Sequence, residues 1–421
     1  MKPLFPVLAA LLAALVSARA AEAVLNVLDF GAKGDGLVKD TAAIQKALDT
    51  AAATGGATVV FPDGVYLTGS LLIGSHTTLQ LAPHANILGS PDPADYPVEN
   101  VRWEGEFRAG HRALLGATNA SQITIVSSNG GYIFGPPLGL GRLRNPRGPV
   151  LMEFTGCTNV LLENITCQYQ QLWSIHPLFC KDFTARGITI RSVSANGDGI
   201  DVDSCDGVLI ERCDINTGDD SVVLKSGRGL AAQNLQRPTQ NVVIRDCRLQ
   251  SSLFAGLALG TEMSGGIRNV KVQHCVIAGH QNAIYIKSRD GRGGYMENVT
   301  CQNLTILKSP TFVGIDLLKK GIQASDPVPG DIEKWSRLSN FTFKQIHVED
   351  VTDLVQAANI PANRVLDGFT LEDVTGTCSR GLTLANMTNV NLTNVKVTGF
   401  EGALVEANNV HGKGLDNSTG K

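Results

Sequence analysis

From about residue 159 the apolar positions fall into a recurring phrase: one apolar residue, a second two places on, a third three further, and often a fourth two beyond that. It is spelled by Val160, Leu162 and Ile165; by Ile188, Ile190 and Val193; by Val208, Ile210 and Cys213; by Val242, Ile244 and Cys247; and by Val270, Val272 and Cys275. Four more copies follow, the last beginning at Val390, and Asn or Gly commonly precedes the phrase, as at Asn159, Gly187, Gly207, Asn241 and Asn269. Copies start 20 to 42 residues apart, around the repeat length of solenoids, whose units are too short to bury their own apolar faces. Alternation of apolar and polar residues says strand, and Asn and Gly say turn. The expected architecture is an all-β, single-stranded solenoid, a parallel β-helix whose inward residues stack in columns. Cys213, Cys247 and Cys275 share one column position, with Val193 and Leu304 in the same slot of neighbouring coils. They read as buried thiols acting as small hydrophobes; a disulfide or metal cluster among them is the alternative.

The front of the chain has a different period. In DTAAIQKALDTAAATGG, Ile44, Ala47, Leu48 and Ala51 recur at helical spacing, Asp40 or Thr41 is the expected N-cap, and Gly55-Gly56 the stop. A helix here would cap the open end of the solenoid. Residues 1–23 hold one Lys, an apolar run through Val16 and small residues near Ala21, the pattern of a secretory signal peptide, with the mature chain starting near residue 21 or 24. The run is short of the roughly 20 apolar residues that span a bilayer. The expectation is a secreted, extracellular or periplasmic protein with one domain over 24–421, of which 24–91 form the cap and first coils. Among 421 residues, 45 are Gly and only 5% aromatic, which suits thin layers and tight turns; the net charge of −3 gives no reason to expect a nucleic-acid or membrane partner. Asn-x-Ser/Thr sequons at Asn119, Asn164, Asn298, Asn386 and Asn391 fall where Asn is already favoured by turns.

One stretch resists a purely architectural reading. TGDDSVVLKSG, residues 217–227, sets Asp219 beside Asp220, and like charges so close raise one another's pKa. Aligning NGDGIDVDS with it, so that Ile200 and Val202 overlie Val222 and Leu224, puts Asp198 over Asp220 and Asp203 over Lys225. The next coils place Ala255 and Asn282 in the carboxylate column, and Lys287 above Lys225 with Gly260 between. Asp201, Val223, Ala258 and Tyr285 then point outward on one face. Three acids, two lysines and a tyrosine gather on one surface. Such a group suits glycosidic hydrolysis, which needs one protonated carboxyl and one ionised carboxylate. It also suits calcium, which takes hard oxygen ligands, and a solvated polar turn is the plainest reading. From residue types alone all three stay open.

Beyond the residue types, the chain resembles the polygalacturonase family, glycoside hydrolase family 28, along nearly its whole mature length. The likeness is carried by VLDFGAKGDGLVKDTAAIQKAL, LWSIHP at 172–177, NGDGID at 196–201, GDDSVVLKSG at 218–227, GTEMSGGIRNV at 260–270 and IKSRDGRGG at 286–294. The last two blocks look most like bacterial exo-acting members. The resemblance implies a right-handed, pectin-lyase-like β-helix and an inverting glycosidase cutting α-1,4-galacturonosyl linkages of pectic polysaccharide or oligogalacturonide, without cofactor or metal. It makes Asp219 the general acid, has Asp198 and Asp220 hold and deprotonate the attacking water, and gives Lys287 to a galacturonate carboxylate. Asn196 would hold the acids in place, and His176 and Trp173 would stand beside the cleft.

Two positions depart from that pattern: Ala255 stands where the family has histidine and Tyr285 where it has arginine. Loss of a charged hydrogen bond to the sugar carboxylate removes about 1.5–3 kcal/mol. One reading is therefore a changed preference, for rhamnogalacturonan or a substituted galacturonan. Another is ordinary exo action with help from Lys225, Arg268, Arg289 or Arg292, and a third a weakly catalytic pectin-binding protein. His280 is a further candidate near the site. A calcium-dependent pectate lyase shares the fold and stays as the other enzyme class. Specificity is expected in the loops 92–115, 136–149, 228–240 and 309–337, and a monomer is the default.

Overall fold

The computed structural model describes residues 23–136, 146–170, 172–318, 326 and 334–416. The N-terminal apolar run lies outside them, as do residues 137–145 of the loop expected at 136–149 and residues 319–325 and 327–333 of that expected at 309–337. Strand pairs with strand in parallel, one coil upon the next, in a single sheet of 31 strands that winds as a right-handed β-helix. One coil consists of Ile200–Asp203, Asp206–Glu211 and Asp214–Thr217. The coil above repeats it as Val222–Lys225, Thr239–Arg245 and Arg248–Ser251. Val208, Val242, Val270 and Val299 are register partners in turn, so each inward residue sits on its counterpart one coil away. Full burial of one such side chain contributes about 1.5–3 kcal/mol.

The polar residue before the phrase has a conformational job. Asn159, Asn241, Asn269, Asn298 and Asn340 all have φ of 56–57°, the left-handed region that Asn tolerates better than branched residues. Their amides form a ladder along the outside: Asn269 donates to Asn241 (3.2 Å), Asn298 to Asn269 (3.3 Å) and Asn340 to Asn298 (3.0 Å).

One copy of the phrase is placed differently from the expectation. Val193 is 90% exposed; the true copy in that coil is Phe183, Ala185 and Ile188, with Phe183 paired to both Val160 and Val208. Asp182, at φ 56°, supplies the turn there. Gly187 belongs to the following corner, which is why reading began five residues late. The nine cysteines are all buried and free, so the disulfide alternative does not hold. Cys213 and Cys247 stack as expected, Cys247 Sγ accepting from Cys213 N at 3.4 Å.

The helix Thr41–Ala53 buries Ile44, Ala47, Leu48 and Ala51 against the first coils. Asp40 is its N-cap residue, yet its carboxylate turns back to accept from Lys33 N and Gly34 N rather than from the helix. Two elements leave the coil beside the acid-bearing sheet: an antiparallel hairpin, Val98–Trp103 with Glu106–His111, and a short helix, Gly229–Leu235. No described helix is long and apolar enough to cross a membrane.

Candidate active site

Strands Ile200–Asp203, Val222–Lys225, Ala255–Leu259 and Asn282–Lys287 lie side by side. Their register is the one read from the sequence: Ile200 on Val222 on Leu257 on Ile284, and Asp203 on Lys225. Asp198, Asp219 and Asp220 sit in the turns just ahead of two of these strands, where coils press together. A Cβ on Gly199 would lie 2.2 Å from Ser221 O, and one on Gly218 would lie 2.3 Å from Ser194 O. Glycines beside the acids thus let neighbouring turns approach closely enough to bring one oxygen of each carboxyl within 4.8 Å of the others.

The three carboxyls differ in surroundings. Asp220 accepts from Ala255 N (3.1 Å) and is ion-paired with Lys287 Nζ (2.7 Å). Asp219 accepts from Asn196 N (3.0 Å) and Asp220 N (2.9 Å). Burial, then the charge of Asp220, holds the Asp219 carboxyl above the usual range, with Lys287 and these two N–H groups pulling the other way. Asp198 is pushed well above that range by burial first, then by Asp219 and Asp201, and one of its oxygens is buried without a hydrogen-bond partner. Beneath them Asp201, with no exposed surface, contacts Lys225 Nζ at 2.7 Å. Burial raises Asp201 to about 6 against the pull of Lys225. A cluster of this kind holds protons where carboxylates ordinarily lose them.

The acids open into a cleft of about 320 Å³ that Asn196, Lys225, Tyr285, Lys287 and Arg289 also line. Four residues expected at or near the cleft do not line it. Arg292 is fully buried, donating through Nε to Thr261 O (3.0 Å) and paired with Asp326, so it braces the loop behind the cleft. His176 has no exposed surface; it is held by Glu153 Oε2 (2.8 Å) and packs edge-on to Trp173 at 4.9 Å. Arg268 points to Gln240 Oε1 (2.7 Å) on a neighbouring face, and neither it nor His280 lines the cleft. The outward column is also drier than alternation alone implies. Asp201, Val223 and Ala258 have no exposed surface, and Tyr285 keeps 8%.

Sequence reading missed Trp103, Glu104, Phe254, Thr261, Glu262, Gln281 and Ser288, all of which line the cleft. Trp103 and Glu104 come from the hairpin, whose two-residue turn has φ 48° at Glu104 and 79° at Gly105. The Glu-Gly pair between alternating residues was the available signal. Trp103 stacks on Trp173 (centroids 4.2 Å), with Arg147 Cζ at 3.4 Å on one side of the pair and Lys225 Nζ at 3.8 Å on the other. Arg147 also donates to Asn196 Oδ1 at 3.3 Å. The three acids are the described group able to hold a cation, although Lys287 already contacts one of them.

Comparison with known proteins agrees with this geometry. The model of "Glycosyl hydrolases family 28" matches residues 119–418, and that of "Rhamnogalacturonase A/epimerase, pectate lyase-like" matches 24–93. A probable polygalacturonase of Vitis vinifera is 34% identical over 306 residues, covering 69% of this chain and 62% of the relative. An exo-poly-alpha-D-galacturonosidase of Dickeya chrysanthemi is 24% identical over 398 residues, covering 82% and 65%. The chain thus spans less than two thirds of these relatives' length. The exopolygalacturonase structure from Thermotoga maritima superposes with a TM-score of 0.76 at 24% identity, covering 95% of both chains. The family 28 exopolygalacturonase of Yersinia enterocolitica gives 0.82 at 21%, over 93% of this chain and 78% of that one. These two likenesses establish the β-helix, and the family match over most of the described coils, acids included, establishes that the chain belongs to the glycosyl hydrolases of family 28.

Proposed function

We propose that the protein hydrolyses galacturonosyl linkages of a pectic polysaccharide by acid–base catalysis at Asp198, Asp219 and Asp220. The observation that carries the reading is how the three carboxyls are held: burial and neighbouring acids favour a proton on Asp219 and on Asp198, while Lys287 and the Ala255 N–H engage Asp220, leaving it as the base. In the proposed step Asp219 gives its proton to the leaving glycosidic oxygen as the C–O bond breaks. A water held by Asp198 and Asp220 forms the new bond to the anomeric carbon and loses its proton to Asp220. Attack from the face opposite the leaving oxygen inverts the α-linkage, so the first product is the β-anomer. The hairpin supports exo action, because Trp103 and Glu104 stand in the cleft rather than outside it, and relatives named for exo action share the family. Export is part of the same proposal, supported by the apolar run at the N-terminus.

The test is product analysis after incubation with polygalacturonate and with rhamnogalacturonan, each with excess chelator. Saturated galacturonic acid surviving chelator, with the β-anomer first by proton NMR, is the expected result. A calcium-dependent lyase is the second reading, favoured by the three carboxyl oxygens gathered within 4.8 Å; it predicts an unsaturated uronide that disappears with chelator.

A further inference from the structure

The sheet carrying the acids has an apolar wall. Val223, Ala258 and Tyr285 are register partners on three successive strands, and with Ala255 they form a cluster separate from the main core. Tyr285 caps that cluster toward the cleft, with Lys287 Nζ 5.3 Å from its ring centroid. The cleft is aromatic elsewhere too, through Trp103, Trp173 and Phe254. With Asp198 and Asp219 favouring their protonated forms, Glu104, Asp220 and Glu262 in the cleft and Asp201 just beneath it still stand against only Lys225, Lys287 and Arg289. Two of those cations are already committed, Lys225 to Asp201 and Lys287 to Asp220, each at 2.7 Å.

A uronate carboxylate placed against Tyr285 would lose hydration where acids outnumber bases. A carboxylate taken out of water needs a partner charge or several donors to offset that loss. A methyl or methyl-ester group in the same place loses little and gains apolar contact with the ring. We propose that the position against Tyr285 takes a sugar residue whose C6 carries no charge, so that the preferred substrate is a pectic chain with neutral residues. This rests on the hydrolytic reading above and narrows it. The shared chemistry has two sources, a methyl-esterified galacturonate or a 6-deoxyhexose.

The experiment compares initial kcat/KM on unesterified polygalacturonate, highly methyl-esterified homogalacturonan and rhamnogalacturonan, for the wild type and Tyr285→Arg. One neutral-residue polymer is expected to exceed polygalacturonate by about tenfold or more, the scale of one charged contact. Whichever of the two it is identifies the source. Tyr285→Arg is expected to narrow or reverse that ratio. A wild type that prefers polygalacturonate, or a ratio that Tyr285→Arg leaves unmoved, overturns the proposal. Should Tyr285→Arg not fold, calorimetry on the wild type decides, with galacturonic acid against its methyl ester as probes: tighter binding of the ester supports the proposal and tighter binding of the acid overturns it. Absence of product from all three polymers sinks the hydrolytic reading instead, and the calorimetric comparison still judges the narrower one.

Discussion

Replacing Lys225 with methionine keeps the length of the side chain and removes a cation that the fold has buried. Lys225 is 5% exposed, and its Nζ sits 2.7 Å from Asp201 and 3.8 Å above the Trp173 ring. Burial by itself would lower its pKa, but Asp201, Glu262 and Asp198 outweigh burial and hold it above the usual lysine value. Removing one member of a buried ion pair costs about 3–5 kcal/mol, because the other charge is left uncompensated. Loss of the ring contact belongs within that range, at about 0.5–2 kcal/mol.

The loss should depend on pH, with a definite sign. Burial pushes the Asp201 carboxyl up to about 6, above the 3.8 of a free aspartate, and an acid raised by folding destabilises the native state as pH climbs from its unfolded value through its folded one. Without Lys225 the folded value moves higher still, each unit adding about 1.36 kcal/mol. Urea unfolding of the wild type, Lys225→Met and Lys225→Met/Asp201→Asn at pH 5 and pH 8 reads this directly. The single variant should lose about 3–5 kcal/mol at pH 8 and less at pH 5, where the orphaned Asp201 holds a proton. The double variant should recover a substantial part of the loss at pH 8. Equal losses at both pH values, with no recovery on removing Asp201, would refute the idea that this pair anchors the site electrostatically.

Two further outcomes concern the acids above that pair. The general acid must be protonated, so activity should fall as pH rises through the Asp219 value, which lies above the ordinary carboxylate range. Lys287 lowers that value, so Lys287→Met should move the falling limb of the kcat profile to higher pH while reducing its height; a limb that moves down contradicts the assignment. Arg147 should behave as a positioning residue, since it holds Asn196, whose N–H donates to Asp219. Asn196 is itself left-handed at φ 66°, so Asn196→Gly keeps the backbone and removes only the handle. Arg147→Met and Asn196→Gly should each lower kcat more than they raise KM and shift the falling limb upward, and their combination should cost little beyond either alone. A loss of thermal stability with an unmoved pH profile would leave Arg147 a merely structural role.

Much of this arrangement was legible in the chain because a solenoid repeats its own test. The inward Val, Ile and Cys positions recur coil after coil, and aligning Ile200 with Val222 was enough to stack Asp198 on Asp220 in the register the structure has. Legibility failed where a coil used other residues for the same job. Asp182 stands in for Asn and Ala185 for a branched residue, so the phrase was read at Ile188 and Val193 was assigned to the core. It failed again where contact runs between segments far apart in sequence. Nothing local says that Trp103 reaches Trp173, or that Asp326 draws Arg292 away from the cleft. The resemblance puts His176 beside the cleft and the chain's charges offer Arg292 as a helping cation there, and burial corrects both.

The most direct test of the central claim, that Asp219 supplies the proton to the leaving oxygen, is a pair of rates for Asp219→Asn. One is measured on the natural linkage and the other on a 4-nitrophenyl galacturonide, whose leaving group departs without protonation. Loss of the acid should lower kcat on the natural linkage by about 10²–10⁴-fold and leave the aryl substrate nearly unaffected. Equal losses on both would contradict the account and move the role of Asp219 to binding or folding.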